Sequence, residues 1–133
     1  MPLKRIEHYN IHTERLAETV TFYERVLGMK AGERPPFPFP GAWIYLEGTP
    51  VLHLVDIADG QRPARAGQRG TGVLDHIAFE AVDLAAMRAT LTREGVAFVE
   101  RLVPRTGVTQ VFVEDPNGVT LELNFAETAA PAS

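Results

Sequence analysis

Apolar and polar residues alternate, then recur at helical spacing, then alternate again, and the chain runs through this succession twice. Ile6-Glu7-His8-Tyr9-Asn10-Ile11 gives an acid, a histidine and a strand-like alternation, and Leu74-Asp75-His76-Ile77-Ala78-Phe79 repeats it. A helical pattern follows each, with Leu16, Val20, Tyr23 and Leu27 on one face of the first and Leu84, Met87 and Leu91 on one face of the second. Thr13 and Asp83 stand where capping residues open a helix, and Gly28 and Gly95 where a left-handed residue closes one. Strand-like runs come next: Ala42 to Glu47 and Val51 to Val55 around Gly48-Thr49-Pro50, then Thr109 to Glu114 and Val119 to Phe125 around Asp115-Pro116-Asn117-Gly118. His76 follows His8 by 68 residues, Gly95 follows Gly28 by 67 and Glu122 follows His53 by 69. Chance alignment of short strands seldom produces such agreement, so the pattern predicts a duplicated strand, helix and hairpin unit. The first module spans 3–56, the second 73–126, and a linker covers 57–72, all within a single domain over 1–133.

Loops punctuate this frame. Glu33 to Gly41 holds four prolines among nine residues, with Phe37 and Phe39 between them, and must be extended and non-helical. The stretch from Asp56 to Gly72 is rich in Gly, Arg and Pro, and the Ala-rich tail after Phe125, with Pro131, is expected to fray.

Composition narrows the chemistry. With 133 residues and 45% hydrophobic content the chain can bury one core. Thirteen basic against seventeen acidic residues give a net charge of −4, with no basic block, so nucleic acid is excluded as an expected partner. The absence of cysteine removes disulfides, zinc-thiolate sites, iron–sulfur clusters and thiol nucleophiles, leaving nitrogen and oxygen to hold any metal. No apolar run reaches membrane-spanning length and none follows Lys4-Arg5, so neither a membrane partner nor a signal peptide is expected, and the location expected is cytoplasmic.

Side chains alternate across a strand, so parity assigns faces. Leu121, Leu123 and Phe125 share one face of the last strand, and Thr120, Glu122 and Asn124 the other. By the same count His53 opposes Leu52 and Leu54, His8 opposes Tyr9 and Ile11, and His76 opposes Ile77 and Phe79. If each duplicated sheet turns its polar face inward, His8, His53, His76 and Glu122 meet in a shared cup. Three imidazoles and one carboxylate suit a borderline divalent ion such as Zn, Ni, Fe, Mn or Co, one per site. A lone histidine on a strand is ordinarily just a polar-face residue; equivalence across the repeat is what singles these out. His12 shares the parity of His8, but its repeat partner is Glu80, and it is read as a pocket-edge or surface residue. Trp43, Tyr45, Phe37 and Phe39 offer an aromatic wall and Arg62, Arg65, Arg69 and Arg105 an anion-binding rim, though core and surface roles suit both sets better.

From Ile6 to Phe125 the chain resembles the vicinal oxygen chelate superfamily, which includes glyoxalase I, fosfomycin- and bleomycin-resistance proteins, methylmalonyl-CoA epimerase and extradiol dioxygenases. The resemblance rests on His8-Tyr9-Asn10-Ile11 leading into Thr21-Phe22-Tyr23-Glu24-Arg25-Val26-Leu27-Gly28, on Asp75-His76-Ile77-Ala78-Phe79, and on Asp115-Pro116-Asn117-Gly118-Val119-Thr120-Leu121-Glu122-Leu123. It implies an α+β fold of two tandem βαβββ modules, a cup-shaped mixed sheet with helices outside, closing around one metal site. It also implies a homodimer. The opening-strand ligands match His8 and His76, and the closing-strand ligands match His53 and Glu122. At His53 the chain departs from glyoxalase I proteins, which usually carry glutamate there, and this weakens the case for lactoylglutathione lyase activity. Ring-cleaving dioxygenases resemble it through two histidines and a glutamate, matching His8, His76 and Glu122.

The activity expected is that of a divalent-metal-dependent lyase or isomerase. Such an enzyme chelates vicinal oxygens of a small substrate and stabilises an enediolate-like intermediate, with Glu122 as the catalytic proton carrier. The alternatives are an Fe(II) extradiol-type dioxygenase and a non-catalytic drug-binding resistance protein of the bleomycin type.

Overall fold

The computed structural model describes residues 2–58 and 67–126, and the chain divides into two compact units, Met1–Gln68 and Arg69–Ser133. The tail with Pro131 and the linker arginines Arg62 and Arg65 lie outside the described residues.

In the first unit β1 (Tyr9–Thr13) leads into α1 (Leu16–Arg25), followed by β2 (Lys30–Gly32), β3 (Gly41–Leu46) and β4 (Thr49–Asp56). The sheet order is β1-β4-β3-β2, with β1 parallel to β4 and the remaining pairs antiparallel. The second unit repeats this plan with β5 (Ile77–Ala81), α2 (Leu84–Arg93), β6 (Val99–Val103), β7 (Val108–Glu114) and β8 (Thr120–Ala126), in the order β5-β8-β7-β6. Each unit is thus a βαβββ module with a mixed four-stranded sheet.

Alternation builds the core of each unit. Ile44, Leu52 and Leu54 from β3 and β4 are buried with Phe22, Tyr23, Val26 and Met29 in the first; Val111, Val113, Leu121, Leu123 and Phe125 are buried with Leu91 in the second. Among the described residues no helix is long and apolar enough to cross a membrane.

The stripe buried by α1 is displaced from the expected one. Thr19, Phe22 and Tyr23 are buried within the helix, whereas Leu16, Val20 and Leu27 are only partly covered. Thr19 can go inside because its hydroxyl donates to the Arg15 carbonyl at 2.8 Å. Thr13 does not cap the helix: Arg15 holds the cap position, and the Thr13 hydroxyl instead accepts from the Arg15 amide at 3.0 Å. Asp83 is a cap, its carboxylate accepting from the Ala86 amide at 3.1 Å. Beyond α2, Gly95 stands at φ 68° while the amides of Gly95 and Val96 bond the carbonyls of Thr92 and Leu91, a left-handed closure that favours glycine.

The β3–β4 turn lies one residue earlier than expected. Glu47 and Gly48 both have positive φ, 50° and 80°, and Leu46 pairs with Thr49, so the connection is a two-residue loop and Thr49 and Pro50 belong to β4. Gly41, expected in the loop, opens β3, where a Cβ would strike the Leu54 carbonyl oxygen. Edge strands β2 and β6 carry no clear alternation; Lys30, Ala31 and Gly32 are all exposed.

Candidate metal centre

Register places the four candidate residues. His8 and His76 each stand one residue before an opening strand, β1 or β5. Within the sheets Asn10 lies opposite His53 and Ala78 lies opposite Glu122, so the duplication holds to the single-residue register. Two residues separate His8 from Asn10 and His76 from Ala78, which puts His8 on the face of His53 and His76 on the face of Glu122. The apolar partners Leu52, Leu54, Leu121 and Leu123 occupy the opposite faces and are buried.

In the second unit, His76 Nε2 lies 3.3 Å from Glu122 Oε1. Both side chains are held from behind. Asp75 Oδ2 sits 2.8 Å from His76 Nδ1, and Asn124 Nδ2 donates to Glu122 Oε2 at 2.8 Å. A carboxylate on Nδ1 fixes the ring so that Nε2 faces away as the available donor, the arrangement usual behind a metal-bound histidine. Two donors bound near 2.1 Å to one ion stand about 3.0–3.4 Å apart in octahedral or tetrahedral geometry, so this pair fits chelation. The Asp75 hydrogen bond, aided by the Glu122 charge, raises the His76 pKa above its ordinary value of 6.5.

The first unit uses the same acid-before-histidine device, with Glu7 Oε1 3.0 Å from His8 Nδ1. Here the rings stack. His53 lies between His8, at a centroid distance of 3.7 Å and 13°, and Trp43, at 4.0 Å and 9°. Trp43 is also the register partner of His53. His53 Nε2 donates to the Pro50 carbonyl at 3.1 Å, so Nδ1 is the nitrogen left to serve as a donor, while on His8 it is Nε2. Burial, and next the nearby His8, lowers the His53 pKa below 6.5.

The structure therefore brings the four residues together as two pairs, His8 with His53 and His76 with Glu122. Among the described residues no group of three or more His, Asp or Glu side chains is placed to hold a metal ion. His12 shares the His53 face and is half-buried opposite Val55. Of the arginines expected at a rim, Arg69 donates to the Pro116 carbonyl at 3.0 Å and lies against Gly118, a turn-holding role, and Arg105 is exposed in the β6–β7 turn at φ 67°. Reading the sequence missed the orienting roles of Glu7, Asp75 and Asn124. The signal was present: an acid directly before each opening histidine, and an amide two residues past Glu122 on its face.

Comparison with known proteins agrees with this architecture. The model of the Glyoxalase/Bleomycin resistance protein/Dioxygenase superfamily matches residues 5–123. Glyoxylase I 4 of Arabidopsis thaliana is 27% identical over 125 residues, covering 91% of this chain and 70% of that protein. The fosfomycin resistance protein FosX of Listeria monocytogenes superposes with a TM-score of 0.72 at 14% identity, covering 93% of this chain and 94% of that one. A lactoylglutathione lyase structure from Agrobacterium tumefaciens gives 0.66 at 18% identity, over 96% and 97% of the two chains.

Proposed function

The chain belongs to the Glyoxalase/Bleomycin resistance protein/Dioxygenase superfamily, and from that premise we propose that it is a divalent-metal-dependent enzyme of lyase or isomerase type acting on a small molecule with adjacent oxygens. The observation that carries this reading is the His76–Glu122 pair, two donor atoms 3.3 Å apart, each braced from behind by Asp75 or Asn124. His8, His53, His76 and Glu122 are the proposed ligands, through Nε2 of His8 and His76, Nδ1 of His53 and Oε1 of Glu122. When bound, the ion supplies Lewis acidity to the two substrate oxygens.

The remaining work falls to the chain. Asp75 and Glu7 keep their histidines oriented with Nδ1 engaged. Asn124 holds Glu122 Oε2, so that Oε1, once it loosens from the ion with substrate bound, would be the atom that accepts a proton from the substrate carbon and returns it. Trp43 closes one side of His53 and excludes water from that ring. The proposed working form is a cytoplasmic homodimer. Ile6 and Leu74, 68 residues apart, are 92% and 56% exposed, apolar surface that association would cover.

Elemental analysis of the purified protein tests this reading, with one divalent ion per chain expected and less than a tenth of it in His76→Ala. Glu122→Gln should keep its fold and lose turnover by about 10²–10⁴-fold, the usual scale for a proton carrier. Normal turnover in that variant would refute its role. The stack around His53 favours a second reading, in which His53 packs rather than ligates and His8, His76 and Glu122 form a two-histidine, one-carboxylate Fe(II) dioxygenase site. Iron retained in full by His53→Ala, with oxygen uptake on catechols, would select it.

A further inference from the structure

The β2–β3 connection holds a cation that no carboxylate among the described residues neutralises. Arg34 is half-buried. Its Nη2 donates to the Phe39 carbonyl at 3.1 Å, and its guanidinium carbon lies 5.2 Å from the ring centres of both Phe37 and Phe39. Its Nε is buried without an acceptor. The two phenylalanine rings stack at 5.1 Å, so among the described residues the guanidinium is held by backbone and aromatic contacts. A guanidinium drawn out of water in this way loses hydration that only a counter-charge restores fully, and its planar fork matches a carboxylate.

Arg34 also lines a cleft of about 510 Å³ with Glu33, Pro35, Trp43 and Tyr45. The Tyr45 hydroxyl donates to the Glu33 carbonyl at 2.6 Å and pins the loop over the sheet. Trp43 belongs both to this wall and to the His53 stack, so the cleft adjoins the half-site of the first unit. Two aromatic walls and one arginine select a flat ring bearing an anion. Glu33 on the same wall would repel a dianion more than a monoanion, which favours carboxylate over phosphate.

We propose that this cleft binds an aromatic carboxylate, with Arg34 receiving the carboxylate and Trp43 and Tyr45 the ring. The proposal deepens the metal-dependent reading by naming a substrate class, and rests on that reading only for the step from ligand to substrate. Trp43 is the single tryptophan of the chain, so its fluorescence reports occupancy directly.

The experiment titrates the full chain in EDTA with benzoate, benzyl alcohol, acetate and inorganic phosphate. Benzoate should give a saturable change, and each of the other three should bind at least tenfold more weakly. Arg34→Gln should weaken benzoate at least tenfold and leave benzyl alcohol unchanged. Equal binding of benzoate and benzyl alcohol, tighter binding of phosphate, no saturable signal, or a folded Arg34→Gln that binds benzoate normally would each overturn the proposal. The ligand series on the unsubstituted protein keeps the test valid if the variant does not fold. Because EDTA strips divalent ions, failure of the metal reading leaves the benzoate signal intact, and failure of the cleft leaves the metal content intact.

Discussion

Two histidines of one chemistry are driven in opposite directions by their neighbours. His53 sits inside an aromatic stack beside His8, and burial there disfavours its charged form; His76 has carboxylates at both ring nitrogens, and they favour it. The folded pKa of His53 is lowered, so its contribution to stability is present above the unfolded value of about 6.5 and is lost as pH falls from there through the folded one. That of His76 is raised, so its contribution is full below the unfolded value and is lost as pH rises through the folded one. In metal-free protein, imidazole proton resonances should titrate below 6.5 for His53 and above it for His76. Asp75→Asn should move His76 back toward 6.5, because the amide accepts without charge. A His76 midpoint that does not move in this variant would show that Asp75 does not hold the ring. Parity alone could not reveal this difference: it assigns a residue to a face, while the stacking of rings and the grip of a preceding acid depend on rotamers.

At the scale of elements, the helices and hairpins follow local rules that can be tested one at a time. Asp83 carries two of them, since it caps α2 through the Ala86 amide and adopts a left-handed conformation at φ 67°. Asp83→Ala should cost about 1–2 kcal/mol in denaturant unfolding, and Asp83→Asn, which keeps an acceptor and tolerates that conformation, distinctly less. Leu91, fully buried in the second unit, should cost about 2–5 kcal/mol on truncation to Ala. The alternation of β4 and β8 was legible because Leu52 and Leu54, and Leu121, Leu123 and Phe125, bury one face of each, and that of β5 because Ile77, Phe79 and Ala81 are less exposed than Ala78 and Glu80; Gly95 was legible because its left-handed geometry favours glycine. What escaped has a common cause. Edge strands β2 and β6 take their order from backbone pairing with β3 and β7, which leaves no hydrophobic alternation to read. The α1 stripe moved because Thr19 satisfies its own hydroxyl, which hydropathy counts as polar.

For the whole molecule the proposed centre makes a demand that can be tested. Among the described residues each unit pairs two of the four proposed ligands, so one ion held by all four would couple residues that share no sequence neighbourhood and no module. That coupling is measurable without knowing the substrate. A metal that binds only the folded protein raises stability by about 2.7 kcal/mol at a hundredfold excess over its dissociation constant, read as a shift in melting temperature against EDTA. If one ion takes donors from both units, His8→Ala and Glu122→Gln should each remove most of that shift, and the double variant should lose no more than either alone. Two independent sites, one per unit, would instead give additive losses and two ions per chain. Additivity within about 0.5 kcal/mol would therefore separate the halves and remove the reason for reading His8, His53, His76 and Glu122 as one centre, even if each single variant were less active. Affinity should also fall with acidification, because each imidazole must be neutral to bind, and His76, with its raised pKa, should yield to the proton before His53 does.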